Sequence, residues 1–257
     1  MLRDREPALT RFAFACLALG GVAAVAAVSD PRLFDGVRVW IKPAKFFASI
    51  GVFAMSWAAI AGLVRADRRD ARVMRRSRWT LIGSARFELA YITLQAARGQ
   101  ASHFNTATPT YGALYAAMGL AAVALIGTTV PLAWEVARRP APGTDPDLRD
   151  AVVLGLGLTF VLGGVLGGYI SAHGAHAVGP ETGHLAVLGW NRGGGDLRVA
   201  HFLGLHAEQG LPLVIAAARA LGLPHGRRVV WGAAALWAAL TLATFAQAVT
   251  GHPFPFG

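Results

Sequence analysis

An apolar stretch in the last third of the chain, residues 193–212, carries side chains that can do chemistry. It contains an arginine, two histidines, a glutamate and a glutamine: Arg198, His201, His206, Glu208 and Gln209. An ionisable side chain at the centre of a bilayer costs at least about 2.5–3.5 kcal/mol to insert, so it needs a partner, a water-filled cavity or a ligand. The stretch therefore predicts a functional site inside a membrane.

Helical spacing separates these side chains. Residues seven positions apart are almost aligned on a helix, so His201 and Glu208 share one face. His206 lies about 140° away from that face, beside Gln209. The two histidines should therefore not hold one ion by themselves, and each needs partners from another helix.

A second apolar segment, 80–104, has polar residues of its own. Glu88 and Gln95 lie on one stripe of a helix together with Ser102. Arg98 lies at the flank of this stripe, and His103 follows near the end of the segment. The spacing predicts a second group of site residues on this helix.

The first functional hypothesis is that histidines from different helices bind haem b or a divalent metal ion near the outer face of the membrane. The candidate ligands are His103, His201 and His206. The candidate residues for holding acidic groups such as propionates, or for otherwise contacting the cofactor, are Lys42, Lys45, Gln95, Arg98 and Arg198. Glu88 and Glu208 would supply or relay protons. The expected role is in membrane redox chemistry or respiratory assembly, with a redox partner.

A metal-dependent membrane hydrolase is an alternative. Glu208 or Glu88 would be its general base, and the loop histidines His173, His176 and His184 would add ligands. The segment His206-Ala207-Glu208 is not the His-Glu-x-x-His motif of zinc proteases, and Cys16, the single cysteine, cannot form a cysteine-based zinc site.

A third hypothesis needs no metal. Basic side chains would bind a small anionic or polar ligand, while Glu88 and the histidines relay protons or gate a pathway. Such a protein would be a transporter, a sensor or an assembly factor, and whether it is an enzyme stays open.

The composition identifies the class of protein. Hydrophobic residues make up 54% of the 257 residues and charged residues 15%, which is typical of a multi-pass membrane protein. The net charge of +10 does not indicate nucleic-acid binding, because the basic residues lie in short segments between apolar runs. There they orient the chain in the membrane.

The apolar runs predict an all-α bundle of seven transmembrane helices in one membrane domain, 1–257. The expected crossings are about 10–28, 46–64, 80–104, 111–136, 151–172, 197–221 and 229–249. Most Lys and Arg residues fall in alternate segments, above all in 65–78, which predicts a cytoplasmic N-terminus and an outside C-terminus. Residue usage suggests a bacterial inner membrane, with the lipid bilayer as partner. A retained first helix is expected, and a signal peptide cleaved near Ala26 is the alternative.

Three short stretches carry a resemblance. They are Lys42-Pro43-Ala44-Lys45-Phe46, Gln95-Ala96-Ala97-Arg98-Gly99-Gln100-Ala101-Ser102-His103-Phe104-Asn105, and the segment from Asp196 to His206. In these stretches the chain resembles a group of bacterial multi-pass membrane proteins to which no activity is assigned. The resemblance implies that the three stretches form one site, expected as an outward-facing cavity between the second, third and sixth helices.

Overall fold

The computed structural model describes residues 6–185, 188–223 and 226–255. The chain is mostly helical, and its described part contains five helices that are long and apolar enough to cross a membrane. They are Pro7–Ser29, Ile41–Ala61, Pro109–Arg138, Pro146–His173 and Arg227–Val249. These helices support the prediction of a helical, membrane-embedded protein. The chain divides between Glu135 and Val136 into two compact units.

The first unit is built from long helices and one small hairpin. In chain order its elements are α1 (Pro7–Ser29), β1 (Leu33–Phe34), β2 (Val37–Arg38), α2 (Ile41–Ala61), a 3₁₀ turn (Ala66–Arg68), α3 (Arg72–Ala97), α4 (Pro109–Gly127) and α5 (Thr129–Arg138), which ends just past the division. The strands β1 and β2 pair antiparallel, with Leu33 opposite Arg38.

Charged contacts join the helices of the first unit at its two ends. Before α1, the carboxylate of Glu6 binds the guanidinium of Arg78 at 2.6 Å. Just after α1, the guanidinium of Arg32 donates to the carbonyl of Ala97 at 2.9 Å. Arg78 lies near the start of α3 and Ala97 at its end. The helix α3 therefore extends at least from one end of α1 to the other, although it is more polar.

The helix α3 ends earlier than the expected crossing 80–104. Gly99 has a φ of +66°, in the left-handed region that glycine enters at little cost. The N–H of Gln100 bonds the carbonyl of Gln95, and the N–H of Gly99 bonds that of Ala96, the pattern of a Schellman C-cap. Ser102 and His103 thus lie in the loop that follows α3, not on the helix.

The second unit has one interrupted helix, a loop region and two further helical runs. Its elements are α6 (Pro146–Leu158), a π-helical turn (Thr159–Gly163), α7 (Gly164–His173), β3 (Ala177–Val178), β4 (Gly195–Asp196), α8 (Leu197–Leu205), α9 (Ala207–Ala220) and α10 (Arg227–Val249). The strands β3 and β4 pair antiparallel, with Ala177 opposite Asp196.

The helical runs of the second unit are antiparallel. Asp145, the N-cap of α6, binds Arg219 near the end of α9 at 2.9 Å. At the opposite end, just beyond α7, the N–H of Leu197 donates to the carbonyl of His176 at 2.9 Å. The run from α8 to α9 therefore extends as far as the run from α6 to α7. The number of seven transmembrane crossings and the orientation of the termini stay predictions.

Candidate functional site

The expected sixth crossing is not one continuous helix, because it breaks at His206 between α8 and α9. Pro212 has no N–H, so the carbonyl of Glu208 loses its helical partner. On the other side of the break, the carbonyl of Leu203 accepts from the indole N–H of Trp237 in α10, at 2.9 Å. The break places His206 and Glu208 where backbone groups are bonded from outside the helix.

The hydroxyl of Thr159 fills the gap in the broken helix. It donates to the carbonyl of Leu205 at 3.1 Å and accepts from the N–H of Glu208 at 3.0 Å. Thr159 is fully buried and opens the π-helical turn of the neighbouring run. Single π turns inside α-helices often mark functional sites. Two irregular points of the backbone therefore meet at one threonine side chain.

Small residues allow the two interrupted helices to approach. A Cβ on Gly155 would lie 2.7 Å from the carbonyl oxygen of Ala207, and a Cβ on Gly163 would lie 2.8 Å from the side chain of Leu205. The contact at Gly155 is with backbone, so glycine is required there, whereas at Gly163 the end of the Leu205 side chain could move aside.

A chain of polar side chains starts at the break. Nδ1 of His206 lies 3.1 Å from Oε1 of Gln209, and since an amide oxygen only accepts, Nδ1 carries the proton. The amide nitrogen of Gln209 donates to Oε1 of Glu208 at 2.7 Å. The ring of His206 also contacts Phe202, with centroids 4.2 Å apart. These hydrogen bonds hold the imidazole of His206 in one orientation and one tautomer.

Glu208 is the acidic group at the end of this hydrogen-bonded series, and it is deeply buried. It is 1% exposed, and its Oε2 has no hydrogen-bond partner among the described residues. Within the same described part, neither lysine nor arginine forms an ion pair with it. Burying an unpaired carboxylate costs several kcal/mol. A carboxyl in such a place is suited to hold a proton or a ligand.

His201 lies one turn before the break, on α8. Its ring packs on α7, where a Cβ on Gly167 would lie 2.9 Å from Cε1 of the imidazole. Nδ1 of His201 is buried and has no hydrogen-bond partner in the described part of the chain. The ring also has a hydrogen bond with the backbone of Gly163, so Nδ1 is the ring atom without a partner among the described residues.

Arg198 is held by the loop region before α8. Its guanidinium binds the carboxylate of Asp196 at 2.5 Å and donates to the carbonyl of Gly189 at 2.6 Å. Asp196 caps α8 by accepting from the N–H of Arg198. Burial raises the pKa of Asp196, but Arg198 and backbone N–H groups outweigh it, so the pKa lies below its ordinary value.

Asn191 organises the same loop region, a role that the sequence did not indicate. Its N–H donates to Asp196 at 2.7 Å, and its side-chain amide donates to the carbonyl of Pro180 at 2.8 Å. Its side-chain oxygen accepts from the N–H groups of Thr182 and Gly193. The loop therefore fixes the start of α8, and with it the position of His201.

The polar residues of the first unit lie along α3. Glu88, Tyr91 and Gln95 are buried, and each has a side-chain oxygen without a hydrogen-bond partner among the described residues. Their spacing puts them within about 60° of one another on the helix. The amide nitrogen of Gln95 donates to the carbonyl of Ala101 at 2.9 Å, which ties the loop after α3 to the helix.

The basic residues of the first unit differ in their surroundings. Lys42 is half-buried and close enough to Glu88 to attract it electrostatically, whereas Lys45 is exposed. The guanidinium of Arg98 lies 6.0 Å from the ring centre of Tyr111, whose hydroxyl donates to Gln100. The structure thus brings Lys42 and Glu88 together.

His103 lies in an aromatic cluster of the first unit. Its ring centroid is 5.6 Å from that of Phe46 and 6.3 Å from that of Tyr115. Its Nδ1 lies 3.2 Å from the hydroxyl of Ser102. The expected joint site of first-unit and second-unit residues stays a prediction.

The described residues contain no site where three protein side chains could bind a metal ion. Over residues 6–185, 188–223 and 226–255, no three His, Cys, Asp or Glu side chains are grouped so that they could hold an ion. A haem needs only one or two axial ligands. The haem and metal hypotheses therefore stay predictions, argued on single histidines.

No family model, curated protein or solved structure matches the chain. The proposed function therefore rests on the geometry of the chain's own residues.

Proposed function

We propose that the chain is an inner-membrane protein with seven crossings, its N-terminus in the cytoplasm and its C-terminus outside. The contacts at both ends of α3, and those at both ends of the run from α8 to α9, support two crossings besides the five apolar helices. The arginine-rich segment 65–78 favours the cytoplasm for the end that also holds Glu6.

We propose further that this protein is a metal-free transporter of a small polar or anionic solute, and that Glu208 binds and releases the proton that drives it. The observation that carries this proposal is the buried, unpaired Oε2 of Glu208 at a broken helix. Intramembrane carboxyls commonly form proton relays, and broken helices commonly form the binding sites of transporters. Gln209 holds the carboxyl of Glu208 and the imidazole of His206 in place by one hydrogen bond to each.

The basic residues of the first unit would attract the solute. Lys42 and Arg98 have the charge to hold an anionic group. Glu88 lies beside Lys42 and would weaken that attraction when its carboxyl is ionised. Arg198 is less suited to this task, because Asp196 and Gly189 already occupy its guanidinium.

Proton uptake into liposomes tests the proposal. The full chain is reconstituted with an internal pH dye, and acetate, phosphate and glycine are supplied outside in turn as probe solutes. Glu208→Gln should reduce the proton uptake that a probe elicits by about 10²-fold or more, the usual effect of removing a proton-transfer group. Glu181→Gln is the matched control, since Glu181 is an exposed glutamate of the same unit. Equal uptake in both variants, or no uptake above empty liposomes with any probe, would contradict the proposal.

Haem b binding is the second candidate, and the orientation of His206 favours it. A ligating histidine usually donates one ring N–H to a neighbouring group, which fixes the tautomer and leaves the other nitrogen for the metal. Nδ1 of His206 donates to Gln209 in this manner.

An absorption spectrum of the purified protein, oxidised and reduced, separates the two candidates. A Soret band that disappears in His206→Ala and persists in His103→Ala would favour haem on the second unit. Absence of the band would leave the proton-driven transporter.

A further inference from the structure

A concave surface at the start of α3 is lined by two arginines and an exposed tryptophan. The lining residues are Arg75, Arg76, Trp79 and Thr80, and the cavity they form is wide open at the surface, with a volume of about 440 Å³. Trp79 is 54% exposed although it is a large apolar side chain. The surface belongs to the first unit, and neither the proton site nor the haem candidate uses it.

The seven arginines of the segment 65–78 fall into two classes. Four of them bind protein groups: Arg65 binds Asp67, Arg68 binds Glu135, Arg78 binds Glu6, and Arg69 donates to backbone carbonyls. In contrast, Arg72, Arg75 and Arg76 are exposed, and their guanidinium groups make no hydrogen bond or ion pair within the part of the chain that the structure describes; of these three, Arg75 and Arg76 line the cavity. Two full positive charges are therefore available in the cavity.

This combination fits the surface of an anionic membrane. Tryptophan prefers the headgroup level of a bilayer, and the apolar part of α3 begins directly after Trp79. Guanidinium groups match the geometry of phosphate oxygens. We propose that this surface binds the phosphate headgroup of an anionic phospholipid, with Arg75 and Arg76 on the phosphate and Trp79 beside the glycerol region.

Native mass spectrometry of the detergent-purified full chain tests this proposal with added phosphatidylglycerol or phosphatidylcholine. A basic residue near an anionic membrane surface contributes about fivefold to binding, so the double variant Arg75→Gln/Arg76→Gln should bind phosphatidylglycerol about 30-fold more weakly. Binding of phosphatidylcholine should be weak in every variant.

The matched control is Arg72→Gln. Arg72 is also exposed and also lies on α3, but it does not line the cavity. It should retain most of the binding, and thermal unfolding should be unchanged in all variants. The single variant Arg75→Gln should bind phosphatidylglycerol about fivefold more weakly. Equal weakening by Arg72→Gln and by Arg75→Gln, equal binding of the two lipids, or full displacement of the lipid by an equal concentration of inorganic phosphate would overturn the proposal.

Discussion

The hydroxyl of Thr159 bridges the broken helix, and the variant Thr159→Val removes this hydroxyl while it keeps the branched shape of the side chain. The variant leaves the carbonyl of Leu205 and the N–H of Glu208 without their present partner. The N–H of Glu208 is buried and the carbonyl of Leu205 is partly buried, so water replaces the hydroxyl poorly, above all at Glu208.

The expected loss of stability follows from two interhelical hydrogen bonds. Such bonds contribute about 0.6 kcal/mol each on average in membrane proteins, and at most about 1.7 kcal/mol. The free energy of unfolding of Thr159→Val should therefore fall by about 1–3 kcal/mol.

Thr241→Val is the matched control for this variant. Thr241 is also a fully buried threonine of the second unit, but its hydroxyl donates to the carbonyl of Trp237 in its own helix. That carbonyl lies four residues back, so it already has a helical partner, and the loss should stay within about 0.5 kcal/mol.

Unfolding of the purified protein in mixed micelles with rising SDS content, followed by tryptophan fluorescence, measures both variants. A loss in Thr159→Val that does not exceed the loss in Thr241→Val would refute the bridging role of Thr159. Thr159→Ser retains the hydroxyl and should recover most of the stability.

Two further predictions concern the second unit. Gly155→Ala should destabilise it by about 1–3 kcal/mol, because the new Cβ would meet the carbonyl of Ala207 at 2.7 Å; Gly157→Ala, with open space around its Cβ, should instead be neutral or stabilising in the same unfolding assay. Since the pKa of Asp196 is lowered in the folded protein, its contribution to stability is complete above the unfolded pKa of about 4 and is lost as the pH falls through the folded value. Asp196→Asn should flatten that acid loss in a pH series of unfolding curves, and an unchanged slope would contradict the assigned ion pair with Arg198.

The sequence predicted the apolar helices because length and hydropathy are local properties. It predicted the end of α3 less well. Gly99 is visible in the sequence as a possible C-cap, but the expected crossing was extended past it to Phe104. In the structure the helix ends at Ala97, two residues before this glycine.

The break at His206 could not be located from the sequence. Pro212 indicates a weak point, yet the position of the break depends on Thr159 and Trp237, which come from other helices. The alignment of His201 with Glu208 assumed one straight helix. Long-range hydrogen bonds of this kind leave no local pattern.

The role of Arg198 was also hidden. An arginine beside an apolar run predicts a ligand contact, but Asp196 two residues earlier holds its guanidinium. Asn191, which anchors Asp196, lies in a loop without a regular period. Sequence reasoning found the charged residues but not their pairing.

Infrared difference spectroscopy of the full chain in lipid tests the central claim most directly, because it reports the protonation of a buried carboxyl without any knowledge of the solute. Between acid and alkaline buffer, the wild type should show a carbonyl stretch of a protonated, weakly bonded carboxylic acid. In a Glu88→Gln background, which removes the buried carboxyl of the other candidate proton group, this band should vanish in Glu208→Gln and remain in Glu181→Gln. A spectrum without the band, or a band that survives Glu208→Gln in this background, would contradict the assignment of Glu208 as the proton-binding group.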